Sequence, residues 1–160
     1  ENGNESGETS GENADGGGKI ALVKPTTYMN RSGQAVKALA QFYKVPPERI
    51  WIFYDDIDVE FGILRIRKSG SAGTHNGMRS VVESLGSENF PRFRLGVGEG
   101  STGFGSHDLT DRILSKIPSK DRPAFDRLVE SAAAAAAYAL NAGIEKAMTR
   151  FNGSSQQYEA

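Results

Sequence analysis

A glycine-rich stretch, Ser69–Gly77, constrains the fold of this chain more than any other feature of its sequence. The stretch contains three glycines, and most of its other residues are small. The residues before it, Ile63–Arg67, alternate apolar and basic side chains, which predicts a short strand. The residues after it, Met78–Leu85, carry apolar side chains at helical spacing. The stretch is therefore predicted to be a turn that connects a strand to a helix.

Two interpretations of this turn are open from the local sequence. In the first, the turn is only a structural connection, and its glycines supply backbone freedom. In the second, another molecule approaches the backbone closely, because glycine has no side chain to block it. The N–H groups and the positive dipole end of the following helix would then suit an anion. His75 and Asn76 are the side chains in this stretch with the richest hydrogen-bonding capacity.

The two ends of the sequence differ in composition from the rest. Residues 1–18 contain five acidic residues and no Lys or Arg. Because they offer almost no apolar surface to bury, we predict a disordered, acidic, glycine-rich tail. Residues 153–160 are predicted to be a polar tail, which leaves one domain over residues 19–152. Subtracting these five acids from the total of 20 leaves 15 against 19 basic residues in residues 19–160, so the chain after the acidic tail is mildly basic and permits an anionic partner.

Composition also excludes several classes of protein. The sequence has no cysteine, which excludes a disulfide framework and a cysteine-based metal site. No apolar run approaches the length that spans a bilayer, and no basic segment followed by an apolar one indicates a signal peptide. Because the sequence begins at Glu1 rather than at a methionine, we expect a fragment or a processed product.

The remaining hydrophobic patterns predict strands alternating with helices, which is typical of an α/β fold with a mixed or parallel sheet. Residues 99–106 are predicted to be a glycine- and serine-rich loop. The predicted elements are strand Lys19–Val23, a helix from Ser32 to about Tyr43, strand Ile50–Tyr54, strand Ile63–Arg67, helix Met78–Leu85, strand Phe90–Gly98, a short helix over 107–117, a helix from Ser119 to about Asn141 and a last helix Ile144–Phe151.

Three carboxylates follow the most hydrophobic stretch of the chain. Ile50–Tyr54 is predicted to be a strand buried on both faces, as in the centre of a sheet, and to end at Asp55. Open α/β folds place functional groups at the ends of such strands. Two other interpretations are a solvated acidic turn and a metal site built from Asp55, Asp56 and Asp58. The second of these lacks the Gly and Glu that a calcium loop carries at the required spacing.

Two arginines lie on the strand before the glycine-rich turn. Arg65 and Arg67 are two residues apart, so both project from one face of the strand, and Leu64 and Ile66 take the other face. Paired guanidinium groups suit a phosphate, which arginine can bind through two hydrogen bonds at once. The alternative is an ordinary solvated strand face.

Three separated stretches, considered together, resemble one known family. They are Lys24-Pro25-Thr26-Thr27-Tyr28-Met29-Asn30-x-Ser32-Gly33, then Asp55-Asp56-x-Asp58 followed by Gly62, and Gly70-Ser71-Ala72-Gly73-Thr74-His75-Asn76-Gly77. Their order and spacing closely resemble the bacterial-type peptidyl-tRNA hydrolase family. Shorter matches occur at Leu85-Gly86-Ser87, Phe90-Pro91-Arg92 and Gly96-Val97-Gly98. The resemblance extends from about Lys19 to Phe151.

The resemblance implies a single α/β domain with a mixed, twisted sheet flanked by helices. It implies hydrolysis of the ester that joins a peptide to the 3′ ribose of tRNA, which recycles the tRNA. The partner would be peptidyl-tRNA, with no membrane, no obligate protein partner, and no metal or organic cofactor. The reaction would occur in the cytoplasm, or in an organelle if the chain is eukaryotic. Arg65 and Arg67 match positions where the family carries basic residues toward tRNA phosphates.

The resemblance also implies roles for four other residues. Asp55 matches the carboxylate that orients the catalytic histidine and stabilises its imidazolium form. Asn30 and Asn76 match the asparagines that hold the 3′ end of the substrate, a task that suits amides because they both donate and accept hydrogen bonds. Tyr28 matches an aromatic residue that packs near the tRNA terminus, where stacking tolerates any base.

The sequence departs from the family pattern at one place. The family opens with a strand, a Gly-Asn-Pro-Gly loop and a helix near Thr-Arg-His-Asn, whose histidine is the general base, and neither motif is present here. The two histidines of the sequence are His75 and His107, and neither matches that base. We therefore expect a sheet without its opening strand and a chain with little or no activity.

Two other functions remain possible from the sequence. One is a non-catalytic RNA-binding relative of the hydrolase, against which the retention of Asp55 argues. The other is a hydrolase of an unrelated small molecule, which has little support because the sequence has neither a G-x-S-x-G motif nor a cysteine nucleophile.

Overall fold

The computed structural model describes residues 9–11, 18–98 and 117–152. They form two compact units, each assembled from separated stretches of the chain. The first unit falls within Glu1–Val45 and Ser71–Ser87, and the second within Pro46–Gly70 and Glu88–Ala160. Of the helices that the structure describes, none combines the length and the apolar character that a membrane span requires.

In the residues that the structure describes, the first unit contains a two-stranded sheet and two α-helices. Strands β1 (Thr9–Gly11) and β2 (Ile20–Leu22) pair antiparallel. A short 3-10 helix, Met29–Arg31, leads directly into helix α1 (Ser32–Phe42). Helix α2 spans Asn76–Leu85 and ends at Gly86, which adopts a left-handed conformation. Both helices match the predicted ones to within two residues at each end.

The two helices of the first unit approach each other at a glycine. A Cβ atom on Gly33 would clash with the carbonyl oxygen of Ser80, so no larger residue fits there without a shift of the backbone. The N–H group of Gly33 donates a hydrogen bond to Oγ of Ser80 across 3.0 Å. Gly33, which the sequence motif contains, is therefore a packing residue.

The disorder predicted for residues 1–18 stays a prediction, although the structure describes a short strand within them. Thr9–Gly11 forms β1, with Ser10 opposite Ala21 of β2. Strand pairing uses main-chain N–H and C=O groups, so a segment without apolar side chains can still pair with an open strand edge. Residues 1–8 and 12–17, the predicted tail 153–160, the loop 99–106 and residues 107–116 of the predicted short helix lie outside the described residues.

The second unit is built on a mixed three-stranded sheet. Its strands are β3 (Ile52–Glu60), β4 (Leu64–Arg67) and β5 (Arg92–Gly98). Strand β5 lies in the middle, parallel to β3 and antiparallel to β4. Helices α3 (Arg122–Ala142) and α4 (Ile144–Phe151) follow. The predicted α/β class with a mixed sheet is confirmed.

The core of the second unit lies between one face of this sheet and the two helices. Alanines make the helix side of the contact, and because their side chains are small, α3 lies close to the strands. Phe93 of β5 is fully buried and stacks against Phe53 of β3, with ring centroids 4.2 Å apart. The buried members of this core are Leu64, Ile66, Phe93, Leu128, Ala132, Ala135, Ala139, Ala147 and Phe151.

The prediction for Ile50–Tyr54 was wrong in two respects. The strand continues through the three carboxylates to Glu60, and it lies at an edge of the three-stranded sheet rather than at its centre. Phe53 is 45% exposed, so the strand is not buried on both faces. Main-chain pairing explains the extra length, because Asp56 lies opposite Gly96 and Glu60 opposite Gly98. Acidic side chains do not end a strand while its backbone has a partner.

Candidate active site

Two candidate residues lie in the loop that precedes α1. Tyr28 is 79% exposed, and Asn30 is exposed within the 3-10 helix Met29–Arg31. The hydroxyl of Ser32 donates a hydrogen bond to the carbonyl oxygen of Met29 across 2.9 Å. The aromatic ring and the amide that the resemblance assigns to the substrate are thus both open to solvent, on a short segment with regular backbone geometry.

Asn76 lies at the beginning of α2 and is exposed. Its neighbour His75 is the N-cap of this helix, and Nδ1 of His75 accepts a hydrogen bond from the N–H group of Met78 across 3.1 Å. An N–H group donates to a lone pair, so Nδ1 is the nitrogen of the ring that acts as acceptor in this contact. This capping role of His75 was not predicted from the sequence.

Met29 lies against Gly77, so the two asparagine-bearing segments of the first unit are in contact. A Cβ atom on Gly77 would lie 2.6 Å from Sδ of Met29 and 2.9 Å from Cε1 of His75. Gly77 therefore leaves the space that Met29 occupies. Because Met29 precedes Asn30 and Gly77 follows Asn76, this contact brings the segments of the two asparagines together.

The glycine-rich stretch has the backbone geometry of a turn. Gly70 and Gly73 have φ values of 149° and 58°, a region that residues with a side chain rarely adopt. The predicted connection between a strand and a helix is confirmed by β4 and α2. Anion binding at this turn stays a prediction.

In the second unit, one face of the sheet is polar and carries a buried ion pair. Nε of Arg94 donates to Oδ2 of Asp56 across 2.7 Å, and the side chain of Asp56 is only 6% exposed. Oδ1 of Asp56 accepts from the N–H group of Asp58 across 2.9 Å. Both carboxylate oxygens of Asp56 are thus used within the sheet, which makes Asp56 a structural residue.

Tyr54 shares this face with Asp56. Burial, and then the negative charge of Asp56, raise the pKa of Tyr54 to about 12. The phenol is therefore protonated at neutral pH, and it donates a hydrogen bond to Asp56. Arg92, which is 2% exposed, is hydrogen-bonded to Tyr54. The polar side chains of β3 and β5 form a connected array.

Arg65 and Arg67 lie on the same face as this array. Arg65 is opposite Arg94 and Arg67 is opposite Arg92 in the antiparallel pairing, and opposed residues project from the same side of a sheet. The side chains of Arg65 and Arg67 are exposed, whereas those of Leu64 and Ile66, on the other face of β4, are buried. The predicted arrangement of Arg65 and Arg67 on one face is confirmed.

Two further arginines were missed by the sequence analysis. Arg92 and Arg94 have the same two-residue spacing as the arginines of β4, and this spacing in Phe90–Gly98 was the available signal. The side chain of Arg94 is 25% exposed, whereas Arg92 is almost fully buried. Arg94 therefore retains some access to solvent beside Arg65, and Arg92 serves the interior of the array.

Asp55 projects from the opposite face of the sheet. It lies opposite Leu95, which packs against the apolar core of the second unit, and it is half-buried. The structure thus separates Asp55 from Arg65 and Arg67 by the thickness of the sheet. Asp55 and Asp56 point to opposite sides, so they cannot ligate one metal ion together. Within the described residues, no three His, Asp or Glu side chains are grouped to hold a metal ion.

Comparison with known proteins identifies the family. A family model described as peptidyl-tRNA hydrolase matches residues 2–159. The chain belongs to the peptidyl-tRNA hydrolase family. The resemblance found in the sequence motifs is thereby confirmed. The roles that the family assigns to Tyr28, Asn30, Asp55 and Asn76 stay predictions.

Individual relatives in the peptidyl-tRNA hydrolase family agree with this membership. The peptidyl-tRNA hydrolase of Synechococcus sp. (strain JA-3-3Ab) is 48% identical over 136 residues, which are 85% of this chain and 59% of that protein. That of Alkaliphilus oremlandii is 46% identical over 143 residues, 89% of this chain and 75% of that protein. The crystal structure of peptidyl-tRNA hydrolase from Acinetobacter baumannii matches with a TM-score of 0.77 at 30% identity, over 92% of this chain and 72% of that one. The chain thus spans less than two thirds of the length of its Synechococcus relative.

Proposed function

We propose that this chain acts on peptidyl-tRNA and that the reaction is hydrolysis of the ester between the peptide and the 3′ ribose of tRNA. The observation that carries the proposal is the contact between Met29 and Gly77, which joins the two asparagine-bearing segments of a chain that belongs to this family. The reaction would release the peptide as a carboxylic acid and return the tRNA for reuse. We place it in the cytoplasm, or in an organelle of a eukaryotic cell.

In the proposed mechanism, a water molecule attacks the ester carbonyl carbon and a histidine takes its proton. Asp55 would orient that histidine and stabilise the imidazolium that forms. The imidazolium then returns the proton to the 3′ oxygen of the ribose as the carbon–oxygen bond breaks.

The identity of the histidine limits what residues 1–160 can do alone. The sequence contains His75 and His107. Nδ1 of His75 accepts a hydrogen bond at the beginning of α2, and His107 lies outside the described residues. Neither matches the family's general base, whose loss costs roughly 10²- to 10⁴-fold in rate. We therefore propose that this chain binds peptidyl-tRNA and hydrolyses it slowly or not at all unless the general base is supplied.

In this proposal, amide and aromatic side chains bind the 3′ end of the tRNA, and arginine side chains bind its phosphates. The exposed amides of Asn30 and Asn76 would donate and accept hydrogen bonds at the 3′ end, and Tyr28 would stack on a base there. Arg65 and Arg67 would bind phosphates, because both are exposed on one strand face. Such contacts are independent of sequence, which suits an enzyme that must act on every tRNA.

The test is a comparison of hydrolysis and binding with purified peptidyl-tRNA. We expect salt-dependent binding with little release of free peptide. Asn30→Ala and Asn76→Ala should weaken binding of the 3′ end, whereas Asn141→Ala, at an exposed asparagine of α3, should not. Rapid turnover that Asp55→Ala abolishes would show that another histidine acts as the base. Absence of any tRNA binding would refute the proposal.

A non-catalytic RNA-binding relative is the second candidate. It is favoured by the exposed pair Arg65 and Arg67 together with the lack of a matching base in the sequence. An experiment that adds the family's opening segment, with its Gly-Asn-Pro-Gly and Thr-Arg-His-Asn motifs, distinguishes the enzyme from the RNA-binding relative. Hydrolysis gained by that addition, and lost again with Asp55→Ala, supports the enzyme, whereas binding without hydrolysis supports the RNA-binding relative.

A further inference from the structure

One edge of β4 is formed by the backbone of Ile66. The carbonyl oxygen of Ile63 accepts a hydrogen bond from the N–H group of Gly96 across 2.8 Å, so Ile63 directs its backbone toward β5. Backbone direction alternates along an antiparallel strand, and Arg65 and Arg67 therefore also face β5. The N–H and C=O groups of Ile66, whose side chain is fully buried, point the other way and need partners.

The side chain of Asn152 supplies both partners. Its Oδ1 accepts a hydrogen bond from the N–H group of Ile66 across 2.6 Å, and its Nδ2 donates to the carbonyl oxygen of Ile66 across 3.0 Å. One amide side chain thus does what a neighbouring strand would do. Asn152 follows Phe151, which is buried in the core. Near the other end of α4, Glu145 forms an ion pair of 2.6 Å with Lys68, so residues 145 and 152 contact residues 68 and 66 at two places.

We propose that Asn152 is a positioning residue for tRNA binding, which it supports by holding Arg65 and Arg67 on the exposed face of β4. This inference rests on the proposed function, in which these two arginines bind phosphates. Ile66 lies directly between them, so its two hydrogen bonds to Asn152 hold the backbone from which both guanidinium groups project. Strand β4 has only four residues. When Ile66 loses its partners, the edge of this short strand frays and the two arginines no longer keep a common spacing.

The experiment measures the affinity of the 160-residue chain for tRNA over a range of salt concentrations. Asn152→Ala removes both hydrogen bonds, and Asn152→Asp keeps an acceptor for the N–H group of Ile66 but loses the donor. The double variant Arg65→Ala/Arg67→Ala is the reference, for which we expect the slope of log K against log salt to fall by about two units. For Asn152→Ala we expect the slope to fall by at least about half of the amount seen in the double variant, and for Asn152→Asp we expect a smaller fall than for Asn152→Ala. The matched control is Asn141→Ala, whose amide donates to Ala137 within α3, and it should keep the slope.

Hydrogen exchange of the Ile66 amide shows whether each variant has released the strand edge. A protein that is merely less stable has a smaller active fraction but the same salt slope, so the slope separates positioning from a loss of folded protein. Faster exchange at Ile66 in either Asn152 variant, with an unchanged salt slope, would overturn the proposal. If the double arginine variant itself keeps the wild-type slope, the phosphate-binding role of the arginines is wrong, and the proposal fails with it. If Asn152→Ala does not fold, Asn152→Asp gives the same decision.

Discussion

Arg94 and Asp56 form an ion pair across neighbouring parallel strands, with Nε of Arg94 2.7 Å from Oδ2 of Asp56. The carboxylate is almost fully buried, and the guanidinium is one-quarter exposed. This pair holds Arg94 on the face of the sheet where Arg65 and Arg67 also lie. It also pairs one of the three carboxylates of β3 with a cation.

Removal of the Asp56 carboxylate should destabilise the chain. Asp56→Asn leaves the guanidinium of Arg94 without its anion in a largely buried place, and we expect a loss of about 2 kcal/mol in the free energy of unfolding, below the values for fully buried pairs because Arg94 is partly exposed. Urea denaturation measures this loss. Asp126→Asn is the control, because it breaks the exposed ion pair of Asp126 with Arg122 and should cost less than about 1 kcal/mol. Equal effects of the two substitutions would contradict the structural role of Asp56.

Tyr54 should make stability depend on pH at the alkaline end. Its pKa is raised to about 12 from 10.0, by burial first and then by the charge of Asp56. Between these values the unfolded chain has lost the phenol proton and the folded chain retains it, so the free energy of unfolding falls as the pH rises. We expect a loss of at most about 2 kcal/mol, reduced by solvent screening because the side chain is only half-buried.

Urea denaturation from about pH 9 to about pH 12 tests this prediction, with Tyr54→Phe as the comparison. The variant lacks the phenol, so its stability should fall less steeply over the same range. Parallel curves for the two proteins would show that other groups cause the alkaline loss.

Gly77→Ala should separate the two asparagine-bearing segments. The added methyl group would lie 2.6 Å from Sδ of Met29, and relief of such a clash typically costs about 1–3 kcal/mol. We expect weaker binding of the 3′ end of tRNA, measured with a short oligonucleotide that ends in the tRNA terminus. Gly18→Ala, where nothing lies within 4 Å of the added atom, should have no effect. The double variant Gly77→Ala/Met29→Ala should regain part of the affinity, and failure to do so would argue against Met29 as the cause.

His75→Ala should destabilise the beginning of α2. The substitution removes the acceptor for the N–H group of Met78, and loss of an N-cap typically costs about 1 kcal/mol. His75→Asn keeps a capping acceptor and should retain most of the stability. Thermal unfolding compares the two variants. If His75→Asn is as unstable as His75→Ala, the hydrogen bond to Met78 is not what matters at this position.

Much of the local structure followed from side-chain periodicity. The alternation in Leu64–Arg67 predicted which side chains of β4 are buried, because two faces of a strand have different surroundings. Helix α4, Ile144–Phe151, has the predicted bounds, since Gly143 ends the preceding helix. Periodicity did not reveal that His75 caps α2, because an imidazole has no strong position-specific preference there.

Motifs and local spacing were enough to recognise the family, the α/β class and the common face of Arg65 and Arg67. Three other features were not visible in the sequence: β3 continues through its carboxylates, Asp55 and Asp56 lie on opposite faces of the sheet, and Asn152 closes the edge of β4. Each of these three features depends on pairing between residues far apart in the chain. Asp56 meets Arg94 and Ile66 meets Asn152 only after the strands and helices have packed.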